Sequence, residues 1–236
     1  MLTPTTPLAD GAHSITTTLT DAAGNESPQS AALPLTVDTA APAAPTGVTV
    51  TDDVAPVTGA IAANGASNDN KPTFAGAAGS AEAGSTITVM DGATVLGTAV
   101  VAADGSWSVT PTTALADGAH SITTRATDAA GNVSPVSPAL ALTVDTAAPA
   151  APAAPTSTAP STNDNTPGIH IGVGLTDTPS LYVDGVKVPA TYDPVTGTLT
   201  PTTPLGDGVH QFTTTLTDAA GNVSPVSPAL ALAVDT

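Results

Sequence analysis

Between residues 118 and 128 the chain reads GAHSITTRATD, and its side chains divide by simple alternation. His120, Ile122, Thr124, Ala126 and Asp128 fall on one face, and Ser121, Thr123, Arg125 and Thr127 on the other. Period-two alternation predicts a strand with one face buried. A second alternating run follows, with Leu140, Leu142 and Val144 opposed to Ala139, Ala141 and Thr143. The intervening DAAGNVSPVSP is rich in Gly, Asn and Pro, as a connection between strands should be. The two runs therefore predict a hairpin.

The same hairpin is written three times. Residues 2–39, 109–146 and 199–236 align almost without gaps, and the matching acids Asp21, Asp128 and Asp218 lie 107 and then 90 residues apart. A period of that length is a domain rather than a solenoid coil. The inner face carries Ile15 and Leu19 in the first copy and Phe212 and Leu216 in the third. A shorter marker, SNDNKP at 67–72 and TNDNTP at 162–167, occurs once per period, and VDTAAPAAP recurs at 37–45 and 144–152. Alternating Ala and Pro make the latter a short, semi-stiff linker.

Upstream of the second hairpin come further short apolar runs: PTFAGAA (72–78), STITVMDG (85–92), TVLGTAVV (94–101) and GSWSVTP (105–111). Asp-Gly pairs at 91–92, 104–105 and 117–118 mark turns. Six or seven strands at this spacing predict an all-β immunoglobulin-like sandwich. Its expected core is Phe74, Ile87, Val89, Trp107, Val109, Ile122, Leu140, Leu142 and Val144. The expected organisation is tandem sandwich modules joined end to end. Residues 1–41 form the C-terminal hairpin of one module, a piece not expected to stand alone. Residues 42–146 form a complete module, and 147–236 a shorter, divergent one. A chain beginning mid-module reads as part of something longer.

Composition narrows the partners. Three Lys and Arg stand against 20 Asp and Glu, a formal charge of −17. Nucleic acid binding needs cations on the protein, and an anionic membrane surface would repel this chain. Asp supplies 18 of the 20 acids, with only Glu26 and Glu82 besides, a bias that suits turns rather than helices. With no Cys, no disulfide braces the fold. No apolar run is long enough to span a membrane as a helix, and Met1-Leu2-Thr3-Pro4 lacks a signal-peptide layout. The concentrated negative charge makes a divalent cation with oxygen ligands, Ca²⁺, an expected structural cofactor.

The N-D-N-x-P entry, AGSAEAGSTITVMDGATVLGTAVVAADGSWSVTP, LADGAHSITTRATDAAGN and the VDTAAPAAP linker together resemble the bacterial Ig-like repeats of giant biofilm and host-cell adhesins. TDDVAPVTG (51–59) also looks like an element of that family, and the likeness spans nearly all of 42–146. Residues 147–236 depart from it, lacking the Asp-Asp segment, the Trp and the AEAGS stretch. The resemblance implies an extracellular or cell-surface location, dedicated export, rigid tandem modules, and Ca²⁺ near the module junctions.

The Asp-rich loops are the candidate sites. In an Ig-like sandwich the last hairpin loop lies at the module's N-terminal pole. Asp128 and Asn132 should then approach Asp38 of the preceding linker, and Asp218 and Asn222 should approach Asp145. Asp52, Asp53, Asp69 and Asp117 are expected to cluster at the opposite pole. All ten are candidate metal ligands, the alternative being that they only bond backbone amides in turns. His13, His120 and His210 share one repeat position at the start of an inner face, where a structural role is expected. No nucleophile-base arrangement recurs, so the chain is not expected to be an enzyme. The expected function is that of a spacer in a large surface adhesin serving adhesion or biofilm formation. Its partners are the adjacent modules of the same chain, with any surface ligand bound by other domains. The alternatives are a glycan- or protein-binding module, with Tyr182 and Tyr192 as candidate stacking rings, and a noncatalytic accessory region of a secreted enzyme.

Overall fold

The computed structural model describes residues 3–236, and among them every regular element is a strand. Two strands occupy the first segment, β1 (Gly11–Ile15) and β2 (Leu33–Val37). Nine follow in the second module: β3 (Val48–Asp52), β4 (Gly59–Ala60), β5 (Ala66–Ser67), β6 (Thr73–Gly76), β7 (Thr86–Asp91), β8 (Thr94–Val100), β9 (Trp107–Val109), β10 (Gly118–Thr127) and β11 (Leu140–Val144). The third module has β12 (Ser161–Thr162), β13 (Ile169–His170), β14 (Thr178–Val183), β15 (Val186–Val188), β16 (Ala190–Asp193), β17 (Thr198–Pro201), β18 (Gly208–Thr217) and β19 (Leu230–Val234).

Each of the two larger modules is a β-sandwich of a five-stranded and a smaller sheet. The strand orders are β5-β11-β10-β7-β8 with β4-β3-β6-β9, and β12-β19-β18-β14-β15 with β13-β17-β16. In both, a two-residue strand near the N-D-N marker pairs in parallel with the last strand of its module: Ser67 opposite Val144, and Thr162 opposite Val234. By proximity the residues divide into two compact units. One comprises Met1–Val48, Phe74–Val109 and Thr123–Ala139; the other comprises Thr49–Thr73, Thr110–Ile122 and Leu140–Thr236.

The three hairpins share one register. Gly11 lies opposite Val37, Gly118 opposite Val144 and Gly208 opposite Val234. Along β10 the alternation holds, with Ile122, Thr124 and Ala126 buried while Ser121 and Arg125 face solvent. The core of the second module contains eight of the nine expected residues. Leu140 is only half-buried, whereas Val50, Leu96, Val101 and Leu115 join the interior. In the third module Ile169, Leu181, Val183, Leu199, Phe212 and Leu232 form one cluster.

The first hairpin differs. β1 ends at Ile15, five residues long where β10 and β18 run to ten. In β18 the residues from Phe212 to Thr217 pair with β14. Their counterparts, Ile15 to Thr20, have no such partner strand among the described residues. Leu19, inner-facing by pattern, is 79% exposed, and Leu33 64%.

Candidate functional site at the module junctions

The D-A-A-G-N loop closes on itself identically in all three copies. In the second copy Asp128 Oδ1 accepts the backbone N–H of Ala130 at 2.9 Å and of Asn132 at 2.8 Å, while Oδ2 accepts the Asn132 side-chain amide at 2.9 Å. The first copy repeats this around Asp21 and the third around Asp218. The glycine of each loop sits at positive φ, +94° for Gly131 and +97° for Gly221, which residues with a Cβ rarely adopt. The Asn25 and Asn132 side-chain amides, as the largest cause, hold the Asp21 and Asp128 carboxyls below their ordinary pKa.

With its carboxylate bond made, the Asn amide has a second hydrogen to give. Asn132 donates it to the backbone carbonyl of Asp38 at 3.0 Å, and Asn222 to that of Asp145 at 2.7 Å. The loop and linker residues expected to meet are thus brought together at both junctions. They meet through an Asn amide and a main-chain carbonyl, while the Asp38 and Asp145 carboxylates bond the N–H groups of Ala40 and Ala147 two residues on, opening the linker as an Asx turn.

The second group of candidates divides. Asp52 and Asp69 are buried, 6% and 3% exposed, and linked through Ser67. The Ser67 hydroxyl donates to Asp52 Oδ2 at 2.6 Å and accepts the N–H of Asp69 at 3.1 Å. Asp53 is exposed and contributes its backbone N–H, 3.4 Å from Asp69 Oδ2. Asp117 is not bonded to them: its carboxylate accepts both the N–H and the hydroxyl of Thr146, next to the Asp145 whose N–H bonds the Ser67 carbonyl. That latch across the hairpin's open end recurs as Asp10 to Thr39 and Asp207 to Thr236.

Both groups converge on one junction. Asp145 N–H donates to the Ser67 carbonyl, and Asn68 N–H to the Ala220 carbonyl at 2.9 Å. A Cβ on Gly221 would lie 3.1 Å from the Val57 Cβ. The loop at 218–222 is therefore held at three places, and Ala220 and Asn222 are buried. The identical loop at 128–132 has Ala130 and Gly131 exposed. The 53–68 stretch of the second module makes the difference.

A calcium ion wants six to eight oxygens. The D-A-A-G-N loops do not fit one as placed, since both Asp oxygens already accept N–H groups and Asn offers its NH₂ to the linker. Among the described residues no three His, Asp or Glu side chains gather as a metal group. The Asp52 oxygens are likewise taken, by the Val54 N–H and the Ser67 hydroxyl, and Asp69 Oδ1 by the Lys71 N–H; Asp69 Oδ2, 3.4 Å from the Asp53 nitrogen, is the least engaged carboxylate oxygen of this pair.

Sequence reading missed the V-S-P-V-S-P run as a structural element. Ser134 and Ser137 accept the N–H groups of Ala126 and Thr124 on β10 through their hydroxyls and return their own N–H groups to the same residues' carbonyls. The third copy does the same with Ser224 and Ser227. The only signal was the three-residue spacing of Ser before Pro.

A family model described as "Bacterial Ig-like domain" matches residues 1–39, 45–146 and 154–236. The chain belongs to the bacterial Ig-like domain family. A search of curated proteins returned no match. Among solved structures, the fibronectin(III)-like modules of Clostridium thermocellum CbhA are 15% identical with a TM-score of 0.48, over 79% of this bacterial Ig-like chain and 94% of theirs. A structure concerned with host cell surface retention of a 1.5-MDa bacterial ice-binding adhesin is 19% identical with a TM-score of 0.40, over 95% of this chain and 74% of that one. A tetra-tandem repeat in the extending region of a large adhesion protein is 22% identical with a TM-score of 0.31. This chain is covered over 95% of its length there and spans 57% of that structure. The family assignment rests on the family model, not on these distant likenesses.

Proposed function

We propose that these bacterial Ig-like modules are extenders of a bacterial surface adhesin, located outside the cell and serving adhesion or biofilm formation without catalysis of their own. One observation carries this reading: at both junctions the same loop asparagine bonds the carbonyl of the preceding linker. What the repeats preserve is a means of joining modules. The candidate polar residues are largely spent in latches and turns, and the Tyr192 hydroxyl, a candidate for sugar contact, donates to the Gly172 carbonyl instead. Pulling single full-length chains tests the reading. Two cooperative unfolding events are expected, releasing extended chain of about 30 and 37 nm at roughly 3.6 Å per residue, less each folded module's own length, and none from the first segment. Saturable binding of a glycan or protein by modules that unfold gradually at low force would favour the binding-module alternative.

Calcium enters as a separate proposal, at Asp52 and Asp69, where it would neutralise two buried carboxylates. A ligand of the folded state raises stability by mass action. Melting temperature is expected to rise in millimolar Ca²⁺ above its value in Na⁺ of equal ionic strength, and Asp69→Asn should abolish the difference. An equal response to both salts would leave only general screening.

A further inference from the structure

Of the eight asparagines only Asn64 precedes a glycine, and the fold requires that glycine. Residues 62–65 make a turn closed by the Gly65 N–H on the Ala62 carbonyl at 2.8 Å. Asn64 sits in it at φ +61°, a left-handed conformation that Asn tolerates. A Cβ on Gly65 would lie 2.8 Å from the Ala62 carbonyl oxygen, too close for a residue with a side chain. Ala62, Ala63 and Asn64 are exposed, and the Asn64 side-chain amide has no hydrogen-bond partner among the described residues. The amides of Asn25, Asn132 and Asn222, by contrast, are tied to loop carboxylates. The turn is also bonded to the last strand of its module. The Asn64 N–H donates to the Ala141 carbonyl at 3.0 Å, and the Gly65 carbonyl accepts the Thr143 N–H at 2.9 Å. β5 follows at once, and the next residue, Asn68, gives its N–H to Ala220 of the docked loop. Ala62, Gly65 and Ala66 line a cleft of about 230 Å³ with Asp52 and Ala219. The third module has Pro160 where the second has Gly65, since its carbonyl accepts the Ala233 N–H at 3.1 Å as that of Gly65 accepts Thr143. Ala159 stands before it in place of an asparagine.

We propose that Asn64 is a site of spontaneous deamidation, and that its conversion loosens the joint made by loop 218–222. The second half rests on the proposed reading of the junctions as loop-docked joints. An exposed turn opens locally at low cost. The Gly65 nitrogen, its proton lost to hydroxide, then attacks Asn64 Cγ. A carbon–nitrogen bond forms, and the side-chain nitrogen takes a proton and leaves as ammonia, which closes a five-membered succinimide. Water opens the ring. Addition at Cγ breaks the new bond and leaves Asp; addition at the Asn64 main-chain carbonyl breaks the original peptide bond and leaves isoaspartate. The net reaction consumes one water, releases one ammonia and turns a neutral amide into a carboxylate. In isoaspartate the chain runs on through Cβ and Cγ, so an extra backbone carbon falls between the Asn64 N–H and the Gly65 carbonyl. Those two groups can then no longer meet Ala141 and Thr143 in register. β5 has only two residues, and with its entry displaced it cannot hold the Asn68 N–H on the Ala220 carbonyl. Proline has no N–H to give up, so the equivalent position in the third module is closed to this reaction.

Ageing the full chain in mildly alkaline and in mildly acidic buffer, followed by peptide mass mapping and enzymatic methylation of isoaspartate, tests the chemistry. Asn64 is expected to convert ahead of the other seven asparagines, at a rate that rises with hydroxide. ¹⁵N relaxation of the same samples tests the consequence: residues 154–236 should reorient faster in the aged chain than in the fresh one. Asn64→Gly accepts the left-handed turn and has no amide to lose, so this variant, aged in parallel, should behave as the fresh chain does. Asn64→Asp, measured fresh, adds the charge without the extra carbon and should leave the joint tight. The inference is overturned if Asn64 converts no faster than the other asparagines, or if the converted chain keeps its joint. It is overturned equally if aged Asn64→Gly or fresh Asn64→Asp is as loose as the converted chain. In all these cases a rigid joint in the fresh chain leaves the reading of the junctions standing. A joint already loose in the fresh chain contradicts that reading, and the inference with it.

Discussion

One asparagine side chain does two jobs in each joint. Its amide nitrogen holds the loop's own Asp and reaches the linker carbonyl, so the loop must be folded before it can dock. At the same residue scale, His210 is clasped from two sides. Its Nδ1 lies 2.7 Å from Asp184 Oδ2 and its Nε2 2.9 Å from the Gly206 carbonyl, with the Phe212 ring edge-on at 6.5 Å. Both polar neighbours are acceptors, and only the imidazolium donates from both nitrogens. The Gly206 carbonyl, then Asp184, raise the His210 pKa above 6.5, and Asp184 is lowered chiefly by the Gln211 N–H and then by His210. A group whose folded pKa is raised stabilises fully below its unfolded value and loses that contribution as pH rises through the folded value. The clasp therefore supports the third module fully below about pH 6.5 and weakens as pH rises above that value through the raised folded pKa. In a proton NMR titration the His210 midpoint is expected to lie above 6.5. Asp184→Asn, tolerated at φ +53°, should bring that midpoint down.

At the scale of elements, the ladder along β10 is completed by a segment that is not a regular strand. Pro has no N–H to give, so V-S-P-V-S-P pairs once every three residues and uses each serine twice. Removing a hydroxyl from a buried pair leaves a strand amide without a partner, at about 1–3 kcal/mol. Ser134→Ala and Ser137→Ala should each lower stability by that order in urea unfolding. Ser27→Ala, which leaves an exposed amide of Leu19 to water, should cost little. Equal losses at all three would mean the serines act through something other than these bonds.

This element also marks where sequence reading stops. β7, β9, β10 and β11 were legible because alternation over several residues separates a wet face from a dry one. V-S-P-V-S-P was not, since its period of three matches neither strand nor helix. β4 and β5 were not, since two residues hold no period. β3 was passed over because its run, Val48 to Asp52, sits beside an Asp-Asp pair that reads as loop. Repeat alignment with Ig-like topology placed Asp128, Asn132, Asp218 and Asn222 beside their linkers. It could not tell whether carboxylates or amides would face across the joint, because that depends on which atoms the loop's own turn has already taken. Asp117 was grouped with Asp52 and Asp69 for its charge, while its partner, Thr146, lies 29 residues away across the hairpin mouth.

At the scale of the whole molecule, a repeated loop meets unequal neighbours. The sequence from Thr127 to Pro138 recurs unchanged from Thr217 to Pro228, yet only the second occurrence is buried against 57–68. Stiffness in such an array is therefore set by the module that precedes a loop rather than by the loop. The direct measurement is ¹⁵N relaxation of the full chain, comparing the rotational behaviour of residues 45–146 with that of 154–236. Loop docking predicts that the two modules tumble as one body, and that Asn222→Ala lets the third reorient faster while its own strands stay folded. Independent tumbling of the two modules in the unaltered chain would contradict the account.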